Sequence, residues 1–391
     1  MATEWKEVKI GELGEVVGGA TPSTKNYDFY GGDIAWITPK DLSNYNERYI
    51  TRGERNITEL GKQSCSTRLL PKNSILFSSR APIGYIAIAR NEMCTNQGFK
   101  SIIANADTDY LFLFYLLKFN KDKIEAMGSG TTFKEVSTKV MQSIKLKVPC
   151  KQTQQKIAKI LSSLDEKIEL NNKINENLHA QAQAIFKSWF VNFEPFGGTM
   201  PSDWEEKSLV QLADFVNGLA MQKFRPKENE KVLPVLKIRE LRLGDCDSSS
   251  ELCSSGIKQE YIVNQGDIIF SWSGSLLVDV WSGKQCGLNQ HLFNVKPKEF
   301  YGKWFVFMWV QYHLDNFIAI ANDKATTMGH IKREHLEKAK VFVPAQKAYQ
   351  QLGKLLNPIF EYSLNLRIKN KKLAQIRDIL LPKLMSGELE V

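Results

Sequence analysis

The sequence predicts an α/β (α+β) chain: two similar globular domains joined by two long helices that pair as an antiparallel coiled coil. Three observations carry this expectation. The chain repeats itself once over nearly its whole length, each copy opens with short β-type segments punctuated by turns, and each closes with a long amphipathic stretch that lacks such punctuation. The repeat is visible in its landmarks. Glu4-Trp5-Lys6-Glu7 returns as Asp203-Trp204-Glu205-Glu206, and Ile34 to Leu42 returns as Leu233 to Leu241, both 199 positions on. Asn73 to Ser78 answers Gly266 to Ser271 and Asn96-Gln97 answers Asn289-Gln290 at an offset of 193, so the second copy lacks a short loop. Thr131-Thr132 answers Thr326-Thr327 and Val148-Pro149 answers Val343-Pro344 at 195. A solenoid repeat spans roughly 20 to 50 residues, so this period describes two whole domains.

The elements follow in order. Residues 1–150 form the first domain, with strands expected at Ser74 to Ser78, Gly84 to Ala89, Lys100 to Ala104 and Ile144 to Val148, and a buried helix at Tyr110 to Phe119. Residues 151–196 hold the first long helix. From Gln152 to Phe190 there is neither Gly nor Pro, and apolar residues recur at Ile157, Ile160, Leu161, Leu164, Ile168, Ile174 and Leu178. The second domain covers 197–345, with the buried helix repeated at Phe305 to Val310, and the second long helix covers 346–391. Its stripe runs through Leu352, Leu355, Leu356, Ile359, Leu366, Leu373, Ile376, Ile379 and Leu380, and Pro358 and Pro382 predict that regular helix lies between them. The first helix carries the chain from one domain to the other and the second returns it, so a side-by-side pair is antiparallel. The other use of such a helix is as a lid on its own domain, and nearly forty residues is long for a lid.

Composition bounds the partners. Of 391 residues 43% are hydrophobic, enough for two buried cores, and 52 Lys+Arg against 43 Asp+Glu give a net charge of +9 and favour a polyanionic partner. Met1 to Glu7 shows no secretory pattern, and the most apolar runs, Tyr110 to Leu117 and Trp304 to Val310, are too short to span a bilayer. A soluble, cytoplasmic chain without a membrane partner is expected. The six cysteines have neither C-x-x-C nor zinc spacing, so free thiols and no metal site are expected.

No catalytic constellation stands out. The chain has no G-x-x-x-x-G-K-[ST], G-x-S-x-G or H-E-x-x-H. Asn357-Pro358-Ile359-Phe360 approaches the signature of adenine amino-methyltransferases, but Ile359 stands where a second proline belongs, and the segment reads as part of a helix. The scattered histidines, His330 and His335 included, read as packed or solvated. Matching loops instead concentrate small polar and basic residues suited to phosphates and base edges. The candidates for DNA contact are Lys40, Ser79, Arg80, Thr131, Thr132, Lys134 and Lys139 in the first copy. In the second they are Arg239, Trp272, Ser273, Lys324, Thr326, Thr327, Lys332 and Arg333. Trp5, Trp36 and Trp204 read as core aromatics.

These strings, in this order and duplicated, resemble the specificity subunit (HsdS) of type I restriction-modification systems. The resemblance covers the whole chain and rests on Trp36 to Leu42, Ser78 to Gly84, Asn96 to Lys100, Pro149 with Gln154 to Ile157, Ile185 to Pro195 and Leu380 to Glu388. It implies two target-recognition domains and two spacer helices in a subunit that is itself non-catalytic. Each domain would read one half of a split, asymmetric site in double-stranded DNA. It also implies two methyltransferase subunits (HsdM), which supply S-adenosylmethionine chemistry, and restriction/translocase subunits (HsdR), which use ATP and Mg; no cofactor binds this chain directly. A helix of some 35 residues is about 50 Å long, which suits half-sites roughly one to one and a half duplex turns apart. Ser273 stands in place of Arg80, Leu277 in place of Gly84 and His291 in place of Gly98, so the halves should read different sequences. Two rival readings are a coiled-coil adaptor that joins proteins without reading DNA and a self-sufficient DNA-modifying enzyme. Sequence-blind DNA binding by the full complex would favour the first, and modification by the purified chain alone the second.

Overall fold

The computed structural model describes residues 5–130, 134–323 and 329–391, and the chain divides into two compact units. One comprises Met1–Leu170 with Lys372–Val391, the other Asn171–Lys371. Both long helices contribute to both units.

In the first unit a five-stranded sheet has the order Gly14–Gly18, Lys100–Ala104, Ile75–Ser79, Ile83–Ala89, Tyr49–Ile50. Ile75–Ser79 lies centrally and is buried along its length, which is why Ile75 to Phe77 are consecutive apolar residues and do not alternate with polar ones. A three-stranded sheet adds Asn56–Ile57, Tyr30–Ile37 and Cys94–Thr95. The first strand, Lys6–Lys9, pairs antiparallel with the last, Lys145–Val148, where alternation does appear: Leu146 and Val148 are buried and Lys145 and Lys147 exposed. The helix Tyr110–Phe119 starts at Asp109, whose side chain accepts from the Phe112 amide at 2.9 Å. Phe112 to Leu117 are all buried, so this helix is apolar all round because it is enclosed all round.

The second unit repeats this plan. One four-stranded sheet runs Ala213–Asn217, Leu292–Pro297, Ile268–Ser271, Leu277–Val280; another runs Leu252–Ser254, Val232–Leu236, Cys286–Leu288, Ile262–Val263. Glu205–Ser208 pairs with Lys340–Val343 as the terminal strands do in the first unit. The buried helix is longer here, Lys303–Asp323, and its Trp304, Phe305 and Trp309 join Phe186, Phe190 and Trp204 in an aromatic core.

The first long helix is Lys151–Phe186, continued by a π-helical turn at Lys187–Val191. The second is Gln346–Ser386. In the first unit they run antiparallel: Lys156 donates to the Val391 carbonyl at 3.2 Å, and Arg377 to Asp165 at 2.6 Å. In the second unit the buried Asn171 amide donates to Asn370 and the Asn370 amide to Asn172, each at 2.7 Å. These helices are also lids: Ile157, Leu161, Leu381 and Leu384 belong to the first core, and Leu352, Leu356 and Leu364 to the second. Pairing and covering are therefore not alternatives.

The prolines do not bound the second helix. Pro358 and Pro382 lie within Gln346–Ser386, where each lacks one backbone donor. The helix persists because its flanks are anchored on both sides: Leu356 beside Pro358 is buried in the second core, and Leu381, Leu384 and Met385 around Pro382 are buried in the first. Trp36 and Trp204 are buried as the sequence suggests, and Trp5 packs half-buried against the first core. No described helix is long and apolar enough to cross a membrane.

Candidate nucleic-acid interface

Within each unit, three segments far apart in sequence meet at one end of the central strand. In the first unit Ser79 donates its amide to the Gly98 carbonyl at 2.7 Å and accepts at its own carbonyl from the Val136 amide at 3.0 Å. In the second, Trp272 donates to His291 at 3.3 Å and accepts from Ile331 at 3.0 Å. A single β-bridge stands at the same place in both: Arg80 with Glu135, and Ser273 with His330. The duplicated backbone is thus preserved down to individual hydrogen bonds.

A fourth segment joins these. Thr38 and Lys237 precede short helical turns, Pro39–Leu42 and Ile238–Leu243. Their amides donate to Asp41 at 2.7 Å and Glu240 at 3.2 Å, the reciprocal cap that an acidic residue three positions on provides. The Asn96 amide donates to the Ile37 carbonyl just before the first turn, and the Asn289 amide to Leu236 just before the second. A Cβ on Gly98 would come within 2.8 Å of Pro39, so this approach needs a glycine. Gly19 and Gly218, each just past an edge strand, close the arrangement, and a Cβ on either would strike the carbonyl oxygen of Asn96 or Asn289.

The candidate side chains sit on this frame with different freedom. Lys40 is exposed and bonded to Glu54 at 2.8 Å, which raises its pKa. Its counterpart Arg239 reaches Glu240 and Asp247; the Ser249 hydroxyl and the Arg239 guanidinium hold Asp247 well below the usual carboxylate range. Lys134 and Lys139 are exposed, the latter on the short helix Thr138–Ser143. Lys332 and Arg333 are exposed at the start of Arg333–Lys338, with Arg333 3.6 Å from Glu337. Arg80 is about one-third exposed and 3.8 Å from Glu135. Ser79 and Ser273 are buried, so neither presents a hydroxyl at the surface: Ser79 donates to the Gly98 carbonyl, and Ser273 shares a 2.8 Å hydrogen bond with His291. Trp272 is half-buried, donates to Asn217 at 3.1 Å and lies against His291, Phe293 and His330. Thr131, Thr132, Lys324, Thr326 and Thr327 lie outside the described residues.

Several members of the site are not evident from sequence. Lys100 is almost fully buried, with its ammonium 3.1 Å from Glu135 and 3.4 Å from the Ser79 hydroxyl. Glu135 pairs with both Lys100 and Arg80. The one available signal is a lysine opening a strand that runs on into Ile102 and Ile103, because a buried ammonium needs a carboxylate. His291 and His330, which read as scattered, meet around Trp272.

The profile of the type I restriction modification DNA specificity domain matches residues 2–180 and again 201–377. The MjaIX type I restriction enzyme specificity subunit of Methanocaldococcus jannaschii is 37% identical over 410 residues, covering 99% of this chain and 94% of the relative. The HindI specificity subunit of Haemophilus influenzae is 24% identical, covering 99% of this chain and all of the relative. The crystal structure of a type I restriction-modification S subunit from M. genitalium superposes with a TM-score of 0.61 at 16% identity, over 98% of this chain and 96% of the other, which shows a shared fold. With both copies of the domain matched in order, the chain belongs to the type I restriction modification DNA specificity family.

Proposed function

We propose that this chain is the sequence-reading subunit of a type I restriction-modification complex, a specificity subunit that binds a split, asymmetric site in double-stranded DNA and carries no catalytic step itself. The observation that carries this reading is the duplicated four-segment surface, whose backbone bonding repeats while its side chains do not. At the shared bridge one unit presents Arg80 and Glu135, with Lys100 buried behind them, and the other sets His330 beside the half-buried Trp272, above a buried Ser273. Equal frames bearing unequal donors and acceptors read two different sequences. The exposed lysines and arginines around each frame serve the phosphates.

The chemistry belongs to partners. Methyltransferase subunits bring S-adenosylmethionine, and restriction subunits bring ATP and Mg. The second long helix offers a docking surface for them: Ile376 and Ile379, three residues apart, are 47% and 60% exposed, and Leu355 and Tyr362, seven apart, are about half exposed. Such apolar stripes suit partner helices. The test is methylome sequencing of cells expressing this chain with its methyltransferase, where one split, asymmetric motif is expected. The purified chain alone should neither bind S-adenosylmethionine nor methylate DNA. Methylation by the isolated chain, or a complex that binds DNA without sequence preference, would refute the reading.

A further inference from the structure

We infer that Arg80 and Glu135 act together as the reader of a single G·C base pair within the half-site of the first unit. The inference rests on the proposal that this surface reads DNA, and deepens it. Glu135 is held from behind: one carboxylate oxygen lies 3.1 Å from the Lys100 ammonium, which is itself nearly enclosed and also contacts Ser79 at 3.4 Å. The other oxygen faces Arg80, with 3.8 Å between it and the guanidinium nitrogen. Both side chains keep about a third of their surface open, 35% for Arg80 and 38% for Glu135. The result is a fixed acceptor beside a forked donor, carried on opposite sides of one β-bridge.

That pattern has a complement in the major groove. A G·C pair presents two acceptors, N7 and O6 of guanine, followed by the amino donor of cytosine. Guanine O6 and the cytosine amino nitrogen are joined by a Watson–Crick hydrogen bond, so they lie only about 2.9 Å apart. A donor for the first and an acceptor for the second must therefore stand close together, as these two side chains do. An A·T pair also sets an acceptor beside a donor, but the forked guanidinium then meets one acceptor only, its second arm facing the adenine amino group or the thymine methyl, whereas in G·C both arms meet N7 and O6. Lys100 prevents the carboxylate from collapsing fully onto Arg80, since it competes for the same charge. The second unit lacks this device: Ser273, His330 and Phe293 occupy the corresponding places.

The test uses the assembled methyltransferase complex on DNA carrying every single-base-pair change across both half-sites. The wild-type complex should prefer G·C at one position of one half-site by roughly 5- to 150-fold over the other pairs. Arg80→Ala and Glu135→Gln should each lose most of that factor at the same position and leave the ranking at all other positions unchanged. Glu135→Gln keeps the size of the side chain and an acceptor for Lys100, and Arg80→Lys and Glu135→Asp provide folded alternatives should the first pair melt at lower temperature. The inference is overturned if folded variants relax two different positions, if they leave discrimination unchanged, or if the position they relax is not G·C. A wild-type complex with no sequence preference would instead remove the DNA-reading proposal itself.

Discussion

Within the first unit Asp165 ties the end of the second long helix to the first, and replacing it measures how strongly. Its carboxylate is 7% exposed, accepts from the Tyr115 hydroxyl at 2.6 Å and from Arg377 at 2.6 Å. Burial and the neighbouring carboxylate both push the Tyr115 phenol well above its ordinary value, so it stays a donor. Burial lowers the Arg377 pKa, but the Asp165 hydrogen bond and charge more than offset this and raise it. At an effective dielectric near 20 the attraction of such a pair is about 4 kcal/mol at 4 Å, and removing one partner of a buried pair costs about 3–5 kcal/mol. Asp378 also bonds Arg377 at 2.8 Å from the exposed side, which places the expected loss near the lower end.

Asp165→Ala should therefore destabilise the first unit by about 3 kcal/mol in urea unfolding, or roughly 150-fold in the local opening equilibrium. Hydrogen exchange should show the loss concentrated in residues 372–386. Asp165→Leu combined with Arg377→Met should cost less than Asp165→Leu alone, because no unpaired charge is left inside. A loss below about 1 kcal/mol for Asp165→Ala would show that the pair is solvated and contributes as a surface bridge does. A double variant as damaged as the sum of its parts would show that packing, not charge, is what Asp165 provides.

Other expectations follow from the same structure. Lys134→Ala, Lys139→Ala and Lys332→Ala should each weaken DNA binding evenly across sequences and lower the salt slope by about 1, measured by titrating the complex at several salt concentrations. Adding one matching heptad to both long helices keeps the apolar stripe in phase and lengthens each by about 10 Å, so the unspecified gap should grow by about three base pairs while both half-sites stay the same. Methylome sequencing reads both, and an unchanged gap in an active enzyme would show that the helices do not set it. Burial lowers the His313 pKa beside the Lys340 carbonyl. The unfolded imidazole, near 6.5, therefore binds protons first, so its contribution to stability is complete above that value and is lost as pH falls from there through the lower folded value. In His313→Gln the urea midpoint should fall less between pH 7 and 5 than in the parent; an equal fall would assign the acid sensitivity elsewhere.

What the sequence made legible is what repeats or alternates. The offsets of 199, 193 and 195 mark two copies, and the same offsets identify equivalent backbone bonds, such as Ser79 to Gly98 and Trp272 to His291. The apolar stripe predicted the long helices, while the prolines misplaced the limits of the second, because a local rule about one missing donor was outweighed by burial on both sides. The Arg80, Lys100 and Glu135 cluster was not legible. Its members are 20 and 35 residues apart along the chain and meet only through the register of a strand and one bridge. Ser79 and Ser273 show the converse, since both are buried and a small polar residue at a strand end is as able to satisfy the frame as to face a partner. The duplication supplies the criterion that spacing alone lacks. Positions where both copies keep the same backbone bond and a compatible small residue maintain the frame, and positions where the bond is kept but the chemistry changes are the ones the proposed function assigns to sequence reading. By that criterion the bridge that carries Arg80 and Glu135 in one unit and Ser273 and His330 in the other is the position at which the proposed reading of two different half-sites is to be tested.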